Sequence, residues 1–176
     1  VIADVDMEKL VKALSLALDE AEKHDVDLVL AQMCWNYNNT TTNFRRIAER
    51  VGSPRLKLLW GPADNLNCGE VDVASTGFDN VRPYLIGLHT KDLRVTDGIN
   101  LNFEYLPFGE GDVGYPTLLG KMFSHGADAV LAITPHYLPP DGTAVDAMRT
   151  CFGNLQEMTG ETQRLGVSQP APQTAD

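Results

Sequence analysis

Cysteine and positive charge are both scarce in this chain. The three cysteines, Cys34, Cys68 and Cys151, lie far apart in 176 residues and form no C-x-x-C pair. An odd and dispersed set argues against a disulfide framework and against a structural zinc site. Only 14 lysines and arginines stand against 24 aspartates and glutamates, which gives a net charge of −10. Because nucleic-acid binding depends on neutralising phosphates with basic side chains, we expect no nucleic-acid partner.

Long apolar runs and a secretory leader are also missing. No stretch approaches the roughly 18 apolar residues of a membrane-spanning helix, so no membrane association is expected. The first residues carry no basic segment followed by an apolar core, so no signal peptide is visible and we expect a cytoplasmic location. The chain is 43% apolar and 22% charged, an ordinary globular balance, and its length suits one domain.

Short apolar segments alternate with amphipathic ones along the chain. The apolar segments, each long enough for a buried strand, are 27–31, 56–60, 84–89 and 129–133. Apolar residues recur at helical spacing over 7–23, 43–51, 115–125 and 143–158, and more weakly over 75–80. This alternation predicts a parallel sheet with right-handed crossovers. Residues 90–114 show little regular pattern and are predicted as a long loop, and residues 159–176 as a flexible tail.

Four parallel strands fit either an open α/β sheet or half of a (β/α)₈ barrel, and periodicity alone does not choose between them. Four sequence blocks favour the barrel. Residues 58–64 (LLWGPAD) are similar to a turn L-L-W-D-P-A-N, and residues 82–92 (RPYLIGLHTKD) to a strand that ends H-x-H-x-K-D. Residues 106–113 (LPFGEGDV) are similar to a loop containing L-G-E-G, and residues 131–137 (LAITPHY) to a strand L-S-L-E-x-H-Y.

In order and spacing, these blocks resemble the xylose isomerase-like TIM-barrel superfamily, the sugar phosphate isomerase/epimerase family, over residues 7–157. The resemblance covers only strands five to eight of such a barrel. It implies an α/β fold over residues 1–158: half of a (β/α)₈ TIM barrel, four parallel strands with flanking helices. Such a half leaves two strand edges unpaired and an apolar interior open, so we predict association with a second half barrel, from a copy of the chain, a separate chain or a missing N-terminal segment.

The resemblance also implies a divalent-metal site with Glu, Asp, His and Glu ligands, one from each strand. At those positions this chain has Ala31, Gly61, His89 and Thr134, and a shift of one residue would only bring Gln32 to the first position. His89 alone is retained. Because Mn²⁺, Mg²⁺ and Zn²⁺ sites of this kind need anionic oxygens, we expect no resident cofactor unless another chain supplies ligands.

Candidate functional residues follow the strands at the expected mouth of the barrel. The candidates for acid–base or electrostatic catalysis are His89, His136 and Lys91, and those for ligand binding are Trp35, Trp60, Asp64, Glu110 and Tyr137. Each has a structural alternative. Lys91 could pair with Asp92, Glu110 could organise its glycine-flanked loop, and Asp64 would reach the metal position only if its loop shifted by three residues.

These observations leave two main hypotheses. In the first, the chain is a degenerate relative of sugar isomerases and epimerases, a non-catalytic binding or structural subunit that takes a carbohydrate and is completed by a second half barrel. In the second, it is an active sugar or sugar-acid isomerase or epimerase that uses His89 and His136 with acids from a partner. Endonucleases of abasic DNA share the fold, but the acidic charge argues against that class.

Overall fold

The centre of the fold is a four-stranded parallel sheet in which the strands lie side by side in chain order. A computed structural model describes residues 3–100 and 102–164. The strands are β1 Leu28–Ala31, β2 Leu56–Trp60, β3 Leu85–Thr90 and β6 Val130–Ile133. Each agrees with its predicted segment to within one residue at either end. The predicted α/β fold with four parallel strands and flanking helices is therefore confirmed, and within the described residues the sheet does not close into a barrel.

The helices flank this sheet. They are α1 Asp4–Lys23, α2 Thr41–Val51, α3 Pro62–Asn67, α4 Phe78–Val81, α5 Tyr115–Ser124 and α6 Ala144–Arg164. A π-helical turn, Val73–Gly77, precedes α4, and a 3₁₀ turn, Arg82–Tyr84, follows it. Helix α3 was not predicted. Helix α6 continues past the predicted end at residue 158, and the part of the predicted tail beyond residue 164 lies outside the described residues.

Helix α2 shows why the sequence folds as it does on this side. The Thr40 hydroxyl accepts a hydrogen bond from the Asn43 N–H at 3.1 Å, which caps the first turn. Gly52 ends the helix in the left-handed conformation, φ +64°, which glycine adopts without strain. Between these ends, Phe44 and Ile47 lie on one face and are buried in the core.

Residues 90–114 differ most from the sequence prediction. They contain an antiparallel hairpin, β4 Asp92–Asp97 and β5 Asn102–Leu106, where a long irregular loop was expected. Leu93 pairs with Tyr105 and Val95 with Phe103, so apolar residues alternate with polar ones on both strands. This two-residue period and the Asp97-Gly98 turn are the signals that the sequence analysis missed.

The two faces of the parallel sheet are unlike each other. Because parallel neighbours face the same way, the register assigns Leu58, Trp60 and Leu88 to the helix-covered face, where all three are fully buried. The opposite face carries Val29, which is 41% exposed, and Val130, which is 72% exposed. The core therefore lies on one side of the sheet only. Among the described residues, none of the helices has the length and apolar content to span a bilayer.

Candidate functional site at the carboxyl end of the sheet

A buried ion pair lies beyond the carboxyl ends of β2 and β3. The Lys91 Nζ is 2.9 Å from Asp64 Oδ1, and the two side chains are only 8% and 5% exposed. Asp64 lies in the first turn of α3, and Lys91 directly follows β3. Each charge is therefore desolvated, and each depends on the other for compensation. The pair places a fixed ammonium at the carboxyl end of the sheet, where the ligand site of an α/β fold lies.

Glycine at position 61 allows the Asp64 carboxylate to occupy this place. The Asp64 N–H donates to the Gly61 carbonyl at 3.0 Å, so the chain turns into α3 immediately after β2. A Cβ on residue 61 would overlap Asp64 Oδ2. The carboxylate of residue 64 thus fills the space that a side chain at residue 61 would take. One helical turn thus brings the Asp64 carboxylate back beside residue 61 without a shift of the loop.

Lys91 and Asp92 do not pair with each other, although they are adjacent in sequence. The Asp92 carboxylate accepts backbone N–H groups from four residues at 2.9–3.3 Å: Leu93, Gly109, Gly111 and Val113. Burial raises the pKa of Asp92, and these four hydrogen bonds oppose the rise. A Cβ on Gly111 would overlap this carboxylate, which requires glycine there. Asp92, rather than Glu110, therefore organises the glycine-rich loop.

The β4–β5 hairpin brings an unpredicted tyrosine to the ion pair. The Tyr105 ring meets the His136 ring edge-on, with centroids 4.7 Å apart. Burial raises the pKa of Tyr105, and the Asp64 carboxylate adds to this. Burial lowers the pKa of His136, as does the Lys91 ammonium, while Asp64 acts in the opposite direction. His136 is therefore a neutral imidazole near pH 7, held beside the ion pair by an aromatic neighbour.

Three buried side-chain oxygens have no hydrogen-bond partner among the described residues. Two lie at the carboxyl end of the sheet: Asp64 Oδ2, the second oxygen of the ion-paired carboxylate, and Thr134 Oγ1; the third is Gln32 Oε1, on the helix-covered side. Thr134 directly follows β6, and its N–H donates to the Thr90 carbonyl at the end of β3, at 3.3 Å. A buried acceptor without a donor is costly, so the two oxygens at the carboxyl end suit a ligand that donates hydrogen bonds. Hydroxyl groups are such donors.

The strand register decides between Ala31 and Gln32 at the first implied ligand position. Ala31 pairs with Leu59, so it lies on the open face, whereas Gln32 is on the helix-covered side and fully buried. The Gln32 side-chain amide donates to the Asn38 carbonyl. The residue on the open face is therefore alanine, and Gln32 lies on the other side of the sheet.

The residues present do not fit a divalent metal. Ala31 and Gly61 offer no side-chain oxygen, and the Asp64 carboxylate is already bound to an ammonium. Like unit charges 4 Å apart near a protein surface repel by roughly 4 kcal/mol, so Lys91 also opposes a second cation beside it. Among the described residues, no three His, Cys, Asp or Glu side chains are grouped so that they could hold a metal ion.

The structure separates the remaining candidate residues. His89 lies on the open face of β3, paired in register with Ala132, and is half-buried. Tyr137 lies in the loop after β6, next to His136. Trp60 does not line the mouth, because it is fully buried and its indole N–H donates to Asn65 Oδ1 at 2.6 Å.

The other two candidates are exposed. Trp35 is exposed in the loop after β1. Glu110 is exposed and accepts a hydrogen bond from the Asn154 amide at 3.3 Å.

Cys68 lies beside the site but is not poised as a nucleophile. The Cys68 thiol donates to the Cys34 carbonyl at 3.3 Å. Burial raises the pKa of Cys68 to about 11, and the nearby Cys34 and Asp64 add to this. Cys68 is therefore a thiol at neutral pH, and a thiol is a poor nucleophile.

Comparison with known proteins identifies the fold family. The sequence matches the xylose isomerase-like TIM barrel family over residues 2–152. No curated protein sequence matches the chain. Among solved structures, a xylose isomerase domain protein from Planctomyces limnophilus aligns with TM-score 0.72 and 21% identity, over 92% of this chain and 55% of that one.

Two further structures extend this likeness. A xylose isomerase-like TIM barrel protein from Mycobacterium smegmatis, in complex with magnesium, aligns with TM-score 0.68 and 17% identity over 92% of this chain and 53% of its own. D-psicose 3-epimerase from Clostridium cellulolyticum H10, with D-tagatose, aligns with TM-score 0.58 and 17% identity over 94% of this chain and 56% of its own. The chain thus spans about half the length of these relatives. It belongs to the xylose isomerase-like TIM barrel family.

Proposed function

We propose that this chain is a metal-independent, non-catalytic carbohydrate-binding member of the family. The observation that carries the proposal is the buried Lys91–Asp64 pair. In it, the ammonium supplies the positive charge at the carboxyl end of the sheet and neutralises the one carboxylate that a metal could use. A polar but charge-balanced site of this kind suits a neutral ligand.

The ligand class follows from the hydrogen-bonding groups that are left over. Asp64 Oδ2 and Thr134 Oγ1 are buried and need donors. The Lys91 ammonium has three donor hydrogens, of which Asp64 Oδ1 takes one. A sugar hydroxyl both donates and accepts, so adjacent hydroxyls of one polyol can satisfy both kinds of group. The known epimerase among the structural relatives has a ketohexose in its structure, which favours the same class of ligand.

Titration of the purified chain with a panel of free ketohexoses and aldohexoses in the presence of EDTA tests this proposal. We expect saturable binding by calorimetry or ligand-observed NMR that EDTA does not abolish. Thr134→Val, which removes one of the orphaned oxygens at nearly constant volume, should weaken binding several-fold. Thr150→Val, at an exposed position of α6, is the matched control and should bind as the wild type does. Binding that requires added divalent metal would contradict the proposal.

A second candidate function has its own support. His136 is neutral near pH 7 and lies beside Tyr105 and the ion pair, as a general base for removing a proton from a carbon next to a carbonyl would. Under this alternative the chain is an active isomerase or epimerase using His136 and His89. Deuterium incorporation from solvent into a bound sugar, lost in His136→Gln and in His89→Ala, would favour it over the non-catalytic reading.

The open sheet face supports the last part of the proposal, a second half barrel. Val29 and Val130 are exposed on that face, and β1 and β6 have no strand on their outer sides within the described residues. Exposed strand edges next to exposed apolar side chains favour association. We therefore propose that the site works in a closed barrel to which another half contributes.

A further inference from the structure

We infer that Cys34 and Cys68 form a reversible disulfide by exchange with a small-molecule disulfide such as oxidised glutathione. The bond would fasten the β1–α2 loop, residues 32–40, to the end of α3. The inference goes beyond the proposed function and does not depend on it. The two cysteines are 34 positions apart in sequence, and the dispersed set argued only against a permanent disulfide framework. The fold brings these two together.

The contact between the two residues leaves a short gap for a disulfide to close. The Cys68 thiol donates to the Cys34 carbonyl at 3.3 Å. A carbonyl oxygen is about 2.4 Å from its own Cα, so the Cys68 sulfur is at most about 6 Å from the Cys34 Cα. In a disulfide that distance is about 4 Å, so closure requires a movement of about 2 Å. Cys34 lies in a turn, where the Asn36 N–H donates to the Met33 carbonyl at 3.1 Å, and not in a strand or helix.

The Cys34 thiol itself, and not only its carbonyl, lies on the side of Cys68. Burial raises the pKa of Cys68 to about 11, and the Cys34 thiol adds to this rise. Because the effect of one charge on another weakens with distance, the two sulfurs are neighbours. Both residues are half-buried, so a small reagent reaches them in the described part of the chain.

The loop and α3 are already held together by a second contact beside the cysteines. The Asn65 side-chain amide donates to the Asn39 carbonyl at 2.8 Å. Asn65 is fully buried, and its own oxygen accepts the Trp60 indole N–H at 2.6 Å. Asn65 lies one helical turn before Cys68, which ends α3. A disulfide therefore adds a covalent bond between two elements that are already docked.

The exchange balances in electrons and protons. The Cys34 sulfur attacks the small disulfide, which forms a mixed disulfide and releases one small thiol. Cys68 then loses its proton to water, attacks the Cys34 sulfur and releases the second small thiol. Two protein thiols are oxidised, and one small disulfide is reduced to two thiols. The raised pKa of Cys68 assigns the first attack to Cys34 and makes the closing step slow at neutral pH.

The bond would stabilise the folded chain and restrain the loop. A cross-link between residues 34 and 68 limits the unfolded chain more than the folded one, in which the two elements already touch. Cys68 lies one turn after Asp64, and its N–H donates to the Asp64 carbonyl at 3.2 Å. The tether is therefore fixed at the helix that carries the carboxylate of the ion pair. We expect slower amide exchange at residues 33–39 in the oxidised chain.

Equilibration of the purified chain at pH 8 with equal millimolar concentrations of reduced and oxidised glutathione tests the inference. After free thiols are alkylated, mass spectrometry should show that most chains have lost two hydrogen atoms and carry no glutathione. Trypsin cuts after Lys23, Arg45 and Lys57, which places Cys34 and Cys68 on different peptides. The disulfide should join these two peptides, and dithiothreitol should release them.

Cysteine variants provide the controls. Cys68→Ser should stop at the mixed disulfide on Cys34, because the second thiol is missing. Cys151→Ser is the matched control and should cross-link as the wild type does, because Cys151 is buried at 2% exposure on α6. The oxidised wild type should melt several degrees higher than the reduced chain.

Each outcome decides the matter. A cross-link within one chain between residues 34 and 68, with a higher melting temperature and slower exchange in the loop, supports the inference. An uncross-linked wild type overturns it, as do glutathione adducts that remain open, bonds between chains or bonds to Cys151. A cross-linked chain that melts below the reduced one would also overturn it. Since no sugar is used, a failure here is distinguishable from a failure to bind carbohydrate.

Discussion

The two faces of the parallel sheet differ in burial, because helices cover one face and leave side chains of the other exposed. On the helix-covered face, Leu58, Trp60 and Leu88 are fully buried among helices of the same chain. On the open face, Val29 and Val130 stand exposed. The Lys91–Asp64 ion pair lies at the carboxyl end of this sheet.

The difference shows which parts of the barrel the chain encodes alone. Packing of the helices against the outer face of the sheet requires only consecutive βα units, which this chain contains. The interior of a barrel is enclosed by strands from the whole ring, so an open four-stranded sheet does not bury it. The site at the carboxyl end is only partly satisfied within this chain. Its ion pair is formed, but two of its buried oxygens have no hydrogen-bond partner among the described residues.

The largest effect is expected from breaking the ion pair. Lys91→Met removes the ammonium and leaves the buried Asp64 carboxylate uncompensated, which should cost about 3–5 kcal/mol of unfolding free energy. Adding Asp64→Asn to that variant removes the stranded charge, so the double variant should be more stable than Lys91→Met alone. Urea denaturation measures both. A single-variant loss below about 1 kcal/mol would show that the pair is solvated in solution.

Two neighbouring leucines test the comparison of the faces directly. In the Val130→Lys background, chosen to keep the chain monomeric, Leu58→Ala should cost about 3 kcal/mol because it leaves a cavity in the packed core. Leu59→Ala, one residue on and facing the open side, should cost only about 1 kcal/mol. Equal losses in chemical denaturation would mean that the open face is covered even in the monomer.

A smaller effect is expected at the loop carboxylate. Asp92→Asn replaces an acceptor of four backbone N–H groups with an amide that has only one acceptor oxygen, and should cost about 2 kcal/mol. The matched control is Asp112→Asn, because among the described residues the Asp112 carboxylate accepts one backbone N–H, that of Val95. It should cost about 0.5–1 kcal/mol. Amide exchange at Gly109 and Gly111 should accelerate in Asp92→Asn only.

The smallest effect concerns pH. Because the pKa of His136 is lowered in the folded chain, the unfolded chain binds more protons as the pH falls through 6.5. Stability from this group is therefore present above that pH and is lost on acidification. His136→Phe retains the ring contact with Tyr105 and removes the titration. Between pH 7.5 and 5.5 its melting temperature should fall less than that of the wild type, and identical slopes would contradict the assigned environment of His136.

The sequence predicted what depends on local patterns and missed what depends on neighbours across the fold. The four strands were predicted to within one residue, because near-continuous apolar runs mark buried parallel strands. The hairpin was missed although Leu93, Val95, Phe103 and Tyr105 alternate with polar residues, so Tyr105 was not recognised at the site. Lys91 and Asp64 were both candidates, but their pairing joins residues 27 positions apart across two strand ends, which spacing cannot reveal.

Under the proposed function, an ammonium from the chain itself takes the place of a metal cation at the carboxyl end of the sheet. Elemental analysis with native mass spectrometry, on chain purified without chelator and then offered Mn²⁺, Mg²⁺, Zn²⁺ or Co²⁺, measures whether the chain holds a metal. No stoichiometric metal is expected in the wild type. One equivalent of metal per chain that is lost in both His89→Ala and Asp64→Asn would contradict it.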